Sequence, residues 1–156
     1  MKKIVFAGGC FWGVEKFFSM IPGVKETEVG YANGNSEYPT YEDICNDNTN
    51  FAEACLVVYN PEEVSLDTLL DKFWSIIDPT SVNRQGNDVG NQYRSGIYYI
   101  DDEDLITIIK SKRKIETLYK NSVVTEIKPL ENYYKAEEEH QKYLEKNPNG
   151  YCHIKF

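Results

Sequence analysis

The sequence predicts an α/β or α+β fold, a β-sheet covered by helices, on three observations. Short β-favouring runs alternate along the chain with runs of helical period. Glycine, proline and asparagine punctuate those runs, with no linker, internal repeat or low-complexity tract between them. At 156 residues and 41% hydrophobic content, the chain suits one domain, 1–156, whose core needs no disulfide or metal staples.

The elements follow in order. "KKIVFAGG" reads as a short buried strand closing on glycines. From Cys10 the period turns helical, with Val14, Phe17, Phe18 and Ile21 at i, i+3, i+4 and i+7, until Pro22-Gly23 stops it. "KETEVGYANG" predicts a strand ending in a turn at Asn33-Gly34, and "TYEDIC" a short helix. "EACLVVYN" is a strand rich in β-formers, ended by Asn60-Pro61. Leu66, Leu69, Leu70, Phe73, Trp74 and Ile77 hold one face of a helix that Ser65 can cap. The polar stretch "DPTSVNRQGNDVGNQYRS" is a loop of the length that often carries function. "GIYYI" predicts a strand, Asp101 to Tyr119 a helix, "SVVTEIKPL" a strand, Tyr134 to Lys146 a last helix, and "NPNGYCHIKF" a coil. The opening order, βαββαβ, is that of a ferredoxin-like split unit.

A net charge of −8 argues against sequence-independent nucleic-acid binding and against docking on an anionic membrane. No apolar run nears a membrane span. The apolar stretch Ile4 to Ala7 is too short for a signal-peptide core, so a cytoplasmic protein is expected. Cys10, Cys45, Cys55 and Cys152 form no CxxC pair. With only His140 and His153 beside them, no structural zinc set exists and no metal is expected. Both histidines read as helix and tail residues.

Chemistry concentrates in "GGCFWGVE", Gly8 to Glu15. A cysteine at the first turn of a helix faces unpaired N–H groups and the positive dipole end, which stabilise a thiolate. Cysteine is also a common small core residue, and position alone leaves both readings open. Phe11 and Trp12 cannot both point inward. The spare ring can wall a small apolar pocket beside the sulfur, suited to a methyl or thioether group.

This motif resembles the active-site signature of the A-type methionine sulfoxide reductases, the peptide-methionine (S)-S-oxide reductase (MsrA) family. "FAEACLVVYNP", "DPTSVNRQGNDVGNQYRS" and "AEEEHQKYLEKNPNGYC" are similar to further blocks of the family in the family's order. The resemblance implies a mixed-sheet two-layer α/β sandwich with a ferredoxin-like core. It also implies reduction of the S epimer of methionine sulfoxide, free or in proteins, by a monomer without cofactor that a thioredoxin-type dithiol recharges.

Residue roles come with the resemblance. Cys10 matches the nucleophile, passing through a sulfenic acid. Glu53 matches the acid that protonates the sulfoxide oxygen; burial would keep it neutral, although a carboxylate at a strand start usually faces solvent. Tyr41 and Tyr93 match the tyrosines whose hydroxyls reach that oxygen. Asp88 matches an aspartate acting through water, and its pattern alone fits a turn. Cys152 matches a resolving cysteine, with Cys45 a surface thiol or substitute resolver and Cys55 structural. One position departs: the family usually has histidine before the Ala-Glu pair, where this chain has Phe51, so altered tuning is expected. A thiol peroxidase and a non-catalytic module for methionine-containing peptides are the competing readings. The first would not need the aromatic pocket, and the second predicts binding that survives loss of Cys10.

Overall fold

A computed structural model of the chain describes residues 1–45, 49–152 and 154; His153 lies outside the described residues. Strand β1 (Lys2–Gly8) leads into α1 (Phe11–Ser19), then β2 (Val24–Ala32), α2 (Tyr41–Cys45), β3 (Ala52–Tyr59) and α3 (Leu66–Ile76). A two-stranded ribbon, β4 (Arg84–Gln85) with β5 (Asp88–Val89), precedes β6 (Ser95–Tyr99) and α4 (Leu105–Glu116). The chain closes with β7 (Glu126–Pro129), β8 (Tyr133–Lys135) and α5 (Tyr143–Lys146).

The large sheet runs β7-β6-β1-β3-β2-β8. The β6–β7 pair is parallel, and the other neighbours are antiparallel. Its inner strand β1 is buried on both faces, which explains why Ile4 to Ala7 is a continuous apolar run. On one face Ile4 and Phe6 pack with Cys55, Val57 and Tyr59 of β3 against Val14 and Phe18 of α1, Leu70 and Phe73 of α3 and Ile108 of α4. Phe6 stacks on Phe18 at 4.6 Å and on Phe73 at 4.9 Å, so one ring joins two helices to the sheet. The opposite face is lined by small residues, Val5, Ala7, Ala52 and Ala54, covered by Leu130 and Tyr133.

Ser65 caps α3, its Oγ accepting from Thr68 N at 3.1 Å. Trp74 of α3 donates to Ser111 of α4 at 2.8 Å, so the buried indole N–H is satisfied between helices. The polar stretch after α3 folds on itself: the Gln85 side chain accepts from Asp78 N at 2.9 Å and donates to Asp78 O at 2.8 Å. The helix expected over 101–119 is α4, entered through a 3-10 turn at Asp102–Asp104.

The last helix predicted over 134–146 does not form. Tyr133–Lys135 instead joins the sheet as β8, opposite Gly30, Tyr31 and Ala32 of β2. A 3-10 turn at Glu138–His140 follows, then the single turn of α5. Gln141 explains the change. Its side chain accepts from Val29 N at 2.9 Å and donates to Val29 O at 2.8 Å and Ala136 O at 3.1 Å, like one more residue of an adjoining strand. Lys142 is left-handed, with φ 55°, which interrupts any continuous helix. The charged run Glu137 to Glu139 offers no apolar stripe to favour the helical alternative.

Candidate active site

Cys10 stands where β1 hands over to α1. Gly9, at φ 88°, makes a turn that a side chain would oppose. Cys10 then occupies the N-cap of α1, and its side chain makes no cap bond. Cys10 as a residue is 8% exposed, and the Trp12 backbone N–H is turned toward its sulfur. The expected depression of this thiol's pKa is not found. Burial raises it first and the charge of Glu53 raises it further; the Trp12 N–H opposes both and is outweighed. The helix terminus is real, but a desolvated thiolate costs more than one N–H returns, so the resting group is a neutral thiol.

Glu53 is the reason the site is not simply a buried cysteine. It lies on the helix-covered face at the start of β3, opposite Tyr31 of β2, and is 1% exposed. One carboxyl oxygen accepts from Phe11 N at 3.2 Å; the other, Oε2, is buried with no partner among the described residues. Burial pushes its pKa up to about 8, against the Phe11 hydrogen bond and with the charge of Asp88. At neutral pH it is thus an acid holding a proton. The two groups are coupled through like charge, so ionisation of either one opposes ionisation of the other.

Tyr41 opens α2, and Tyr93 closes a 3-10 turn at Asn91–Tyr93. The two phenols lie close enough for each to act on the other's ionisation. In both, burial first and the charge of Glu53 next push the pKa up, so both keep donor protons. Asp88, on β5, is close enough for its charge to act on Cys10, Glu53 and Tyr93. The stretch read as a functional loop therefore delivers two groups to the thiol.

Of the two adjacent rings, Phe11 is the buried one, 5.8 Å from Tyr31 and in a cluster with Val29, Ile44 and Phe51. Trp12 is half-buried and stacked on Tyr143, with centroids 3.7 Å apart. Its Nε1 donates to His140 Nδ1 at 3.1 Å. Phe51, in place of the histidine the resemblance led us to expect, is 1% exposed and covers Gly34, where a Cβ would come within 2.2 Å of the ring. It offers no polar atom to the strand that carries Glu53.

Cys152 is half-buried, its Sγ against Gly13 of α1, bonded to Ile154 N at 3.4 Å and to Ile154 O at 3.5 Å. Ile154 is itself packed in the main core. The tail is coil, as expected, yet it is anchored beside the thiol: the charges of Cys152 and Asp88 both act on Cys10. All four cysteines are reduced, outside any disulfide; Cys55 is fully buried and Cys45 exposed. Sequence reading missed Tyr31, Glu137, His140 and Tyr143 as neighbours of the site. Their segment looked like a solvated helix, and only pairing with β2 brings it here. Glu137, Glu139 and His140 hold ligand-type atoms within 4.8 Å of one another. Glu137 is engaged by Tyr31 Oη at 2.8 Å and Tyr41 N at 3.1 Å, and His140 Nδ1 by Trp12, so these groups read as a hydrogen-bonded framework.

A reduced cysteine facing a protonated carboxylic acid and paired phenols is equipment for an oxidoreductase that acts on a polar oxygen-bearing substrate. The chain belongs to the peptide methionine sulfoxide reductase family, whose model matches residues 2–156. It is 68% identical over 155 residues to the peptide methionine sulfoxide reductase MsrA of Clostridium perfringens, covering 99% of each chain. Its structure is similar to that of reduced Mxr1 from Saccharomyces cerevisiae, with TM-score 0.94 and 41% identity over 99% of this chain and 91% of that one. Mxr1 in complex with Trx2 is similar over 91% of this chain and 84% of that one, with TM-score 0.65 and 31% identity. The protein is accordingly an enzyme of methionine sulfoxide reduction.

Proposed function

We propose that the chain reduces the S epimer of methionine sulfoxide, free or in proteins, through a sulfenic acid on Cys10. The observation that carries the reading is Glu53: a buried, protonated carboxyl with an unpartnered oxygen beside a cysteine. Cys10 sulfur attacks the sulfoxide sulfur while Glu53 gives its proton to the departing oxygen and recovers one from the thiol. Tyr41 and Tyr93 donate to that oxygen as charge develops, and Asp88 acts through water. The protonated oxygen is then transferred from the substrate sulfur to the Cys10 sulfur as the bond between the two sulfurs breaks, which leaves Cys–SOH, releases methionine and moves two electrons from cysteine to substrate. Cys152 thiol then attacks the sulfenic sulfur, releasing water and leaving a disulfide. An external dithiol takes up that disulfide and restores both thiols. A thioredoxin-type protein suits this step, and the Mxr1–Trx2 complex supports the pairing. Phe11 and Trp12 wall the site of the substrate methyl.

No bound cofactor is needed in this scheme. The same reading takes 1–156 as one domain, with a ferredoxin-like core supported by the order β6-β1-β3-β2, acting as a cytoplasmic monomer whose reduced cysteines suit a reducing compartment. The decisive experiment offers separated S and R sulfoxides, and hydrogen peroxide, to wild type and Cys10→Ser with a chemical dithiol. Turnover of the S epimer by wild type alone supports the proposal. Turnover of peroxide but no sulfoxide would transfer the protein to the thiol peroxidases.

A further inference from the structure

We propose that His140 is a positioning residue for Trp12, its Nδ1 holding the indole N–H and thereby fixing the half-buried ring that follows Cys10 at the start of α1. The proposal rests on the sulfoxide reading above and adds a residue to it.

His140 is 7% exposed and sits among the site's rings: Phe11 at 5.5 Å, Trp12 at 5.9 Å and Tyr41 at 4.7 Å. Accepting the Trp12 N–H at 3.1 Å engages the lone pair of Nδ1. The acceptor is itself fixed. His140 N donates to Glu137 O at 2.9 Å, and the neighbouring Gln141 is latched to Val29. Glu137 reaches onward to Tyr31 and to the backbone of Tyr41. Trp12 is thus gripped on its face by Tyr143 and at its edge by His140. An indole on a helix start has two soft side-chain torsions, and stacking on one face leaves the ring free to slide in its plane. A hydrogen bond at Nε1 removes that freedom, and a half-buried N–H without an acceptor would be costly. The Trp12 ring is therefore placed by a residue near the other end of the chain.

The test compares His140→Phe, which keeps a ring and removes the acceptor, with His140→Asn, which returns an acceptor at similar reach. Against methionine S-sulfoxide, His140→Phe should lower kcat/KM about tenfold, carried by KM, while the single-turnover rate at saturation changes less than about threefold. His140→Asn should recover most of the loss. In a Trp12→Phe background the donor is gone, and adding His140→Phe should cost less than about twofold. Nitrogen-15 spectra of the substrate-free protein should show the Trp12 indole N–H displaced in His140→Phe and largely restored in His140→Asn. This measurement needs neither turnover nor substrate, so it judges the bond even if the sulfoxide reading fails. Thermal melting identifies a variant that has not folded, and the Trp12→Phe cycle approaches the pair from the other side. An unmoved indole resonance, or an undiminished loss in the Trp12→Phe background, overturns the proposal.

Discussion

Glu53 shows how one side chain can be costly to the fold and necessary to the reaction. An acid with an unfolded pKa of 4.5 and a folded value of about 8 binds its proton more tightly when folded. Its contribution to stability is then complete below pH 4.5 and is lost as pH rises through about 8. Glu53→Gln, with no charge to desolvate, should gain melting temperature relative to wild type as pH is raised from 5 to about 9. The same variant should slow sulfoxide reduction by about 10²–10⁴-fold in single turnover, because an amide delivers no proton. Wild-type single-turnover rates should correspondingly fall as pH passes about 8. Retained activity in Glu53→Gln would remove Glu53 from the mechanism. For Cys10, burial wins over the helix terminus. Nucleophilicity must therefore be released when substrate and Glu53 exchange protons, and is not stored in a resting thiolate.

The segment from Tyr133 to Lys146 folds against the expectation of its own composition. Its composition resembles a solvated helix, but three hydrogen bonds from Gln141 to Val29 and Ala136 make it a strap along β2. Gln141→Ala would remove the side-chain partners of Val29 N and Ala136 O, while Val29 O keeps the Ala136 N–H, and should cost about 2 kcal/mol in urea unfolding. A loss under 0.5 kcal/mol, roughly the level of a surface substitution, would show the strap to be held by other contacts. Ser65→Ala should cost about 1 kcal/mol through the lost cap of α3, with activity unchanged. That helix was legible because its apolar period and cap sit in adjacent residues. The strap was not, because Gln141 finds its partner more than 100 residues away.

Across the whole molecule, the two ends of the chain meet at the thiol. Gly13, one turn beyond Cys10, leaves room for Cys152; a Cβ there would come within 2.5 Å of its Sγ. Gly13→Ala should favour the helix itself and displace the tail. We expect its first turnover to be close to wild type and formation of the Cys10–Cys152 disulfide to slow about tenfold or more, read by mass spectrometry after limiting sulfoxide. Cys152→Ser should complete one turnover and then stall with a thioredoxin-type reductant. Normal cycling in that variant would assign resolution elsewhere, with exposed Cys45 the next thiol to test.

The strands and helices that carry a local period, the turn that presents Cys10 and, through the resemblance, the residues gathered around it are legible in the order of the amino acids. Those features are written in neighbours a few positions apart, where spacing alone dictates which face is apolar. Tertiary structure alone decided the protonation of Cys10 and Glu53, the grip of His140 and Tyr143 on Trp12, and the conversion of the last predicted helix into a strap. Desolvation and buried hydrogen bonds depend on what the fold lays over a residue, and that covering comes from distant parts of the chain.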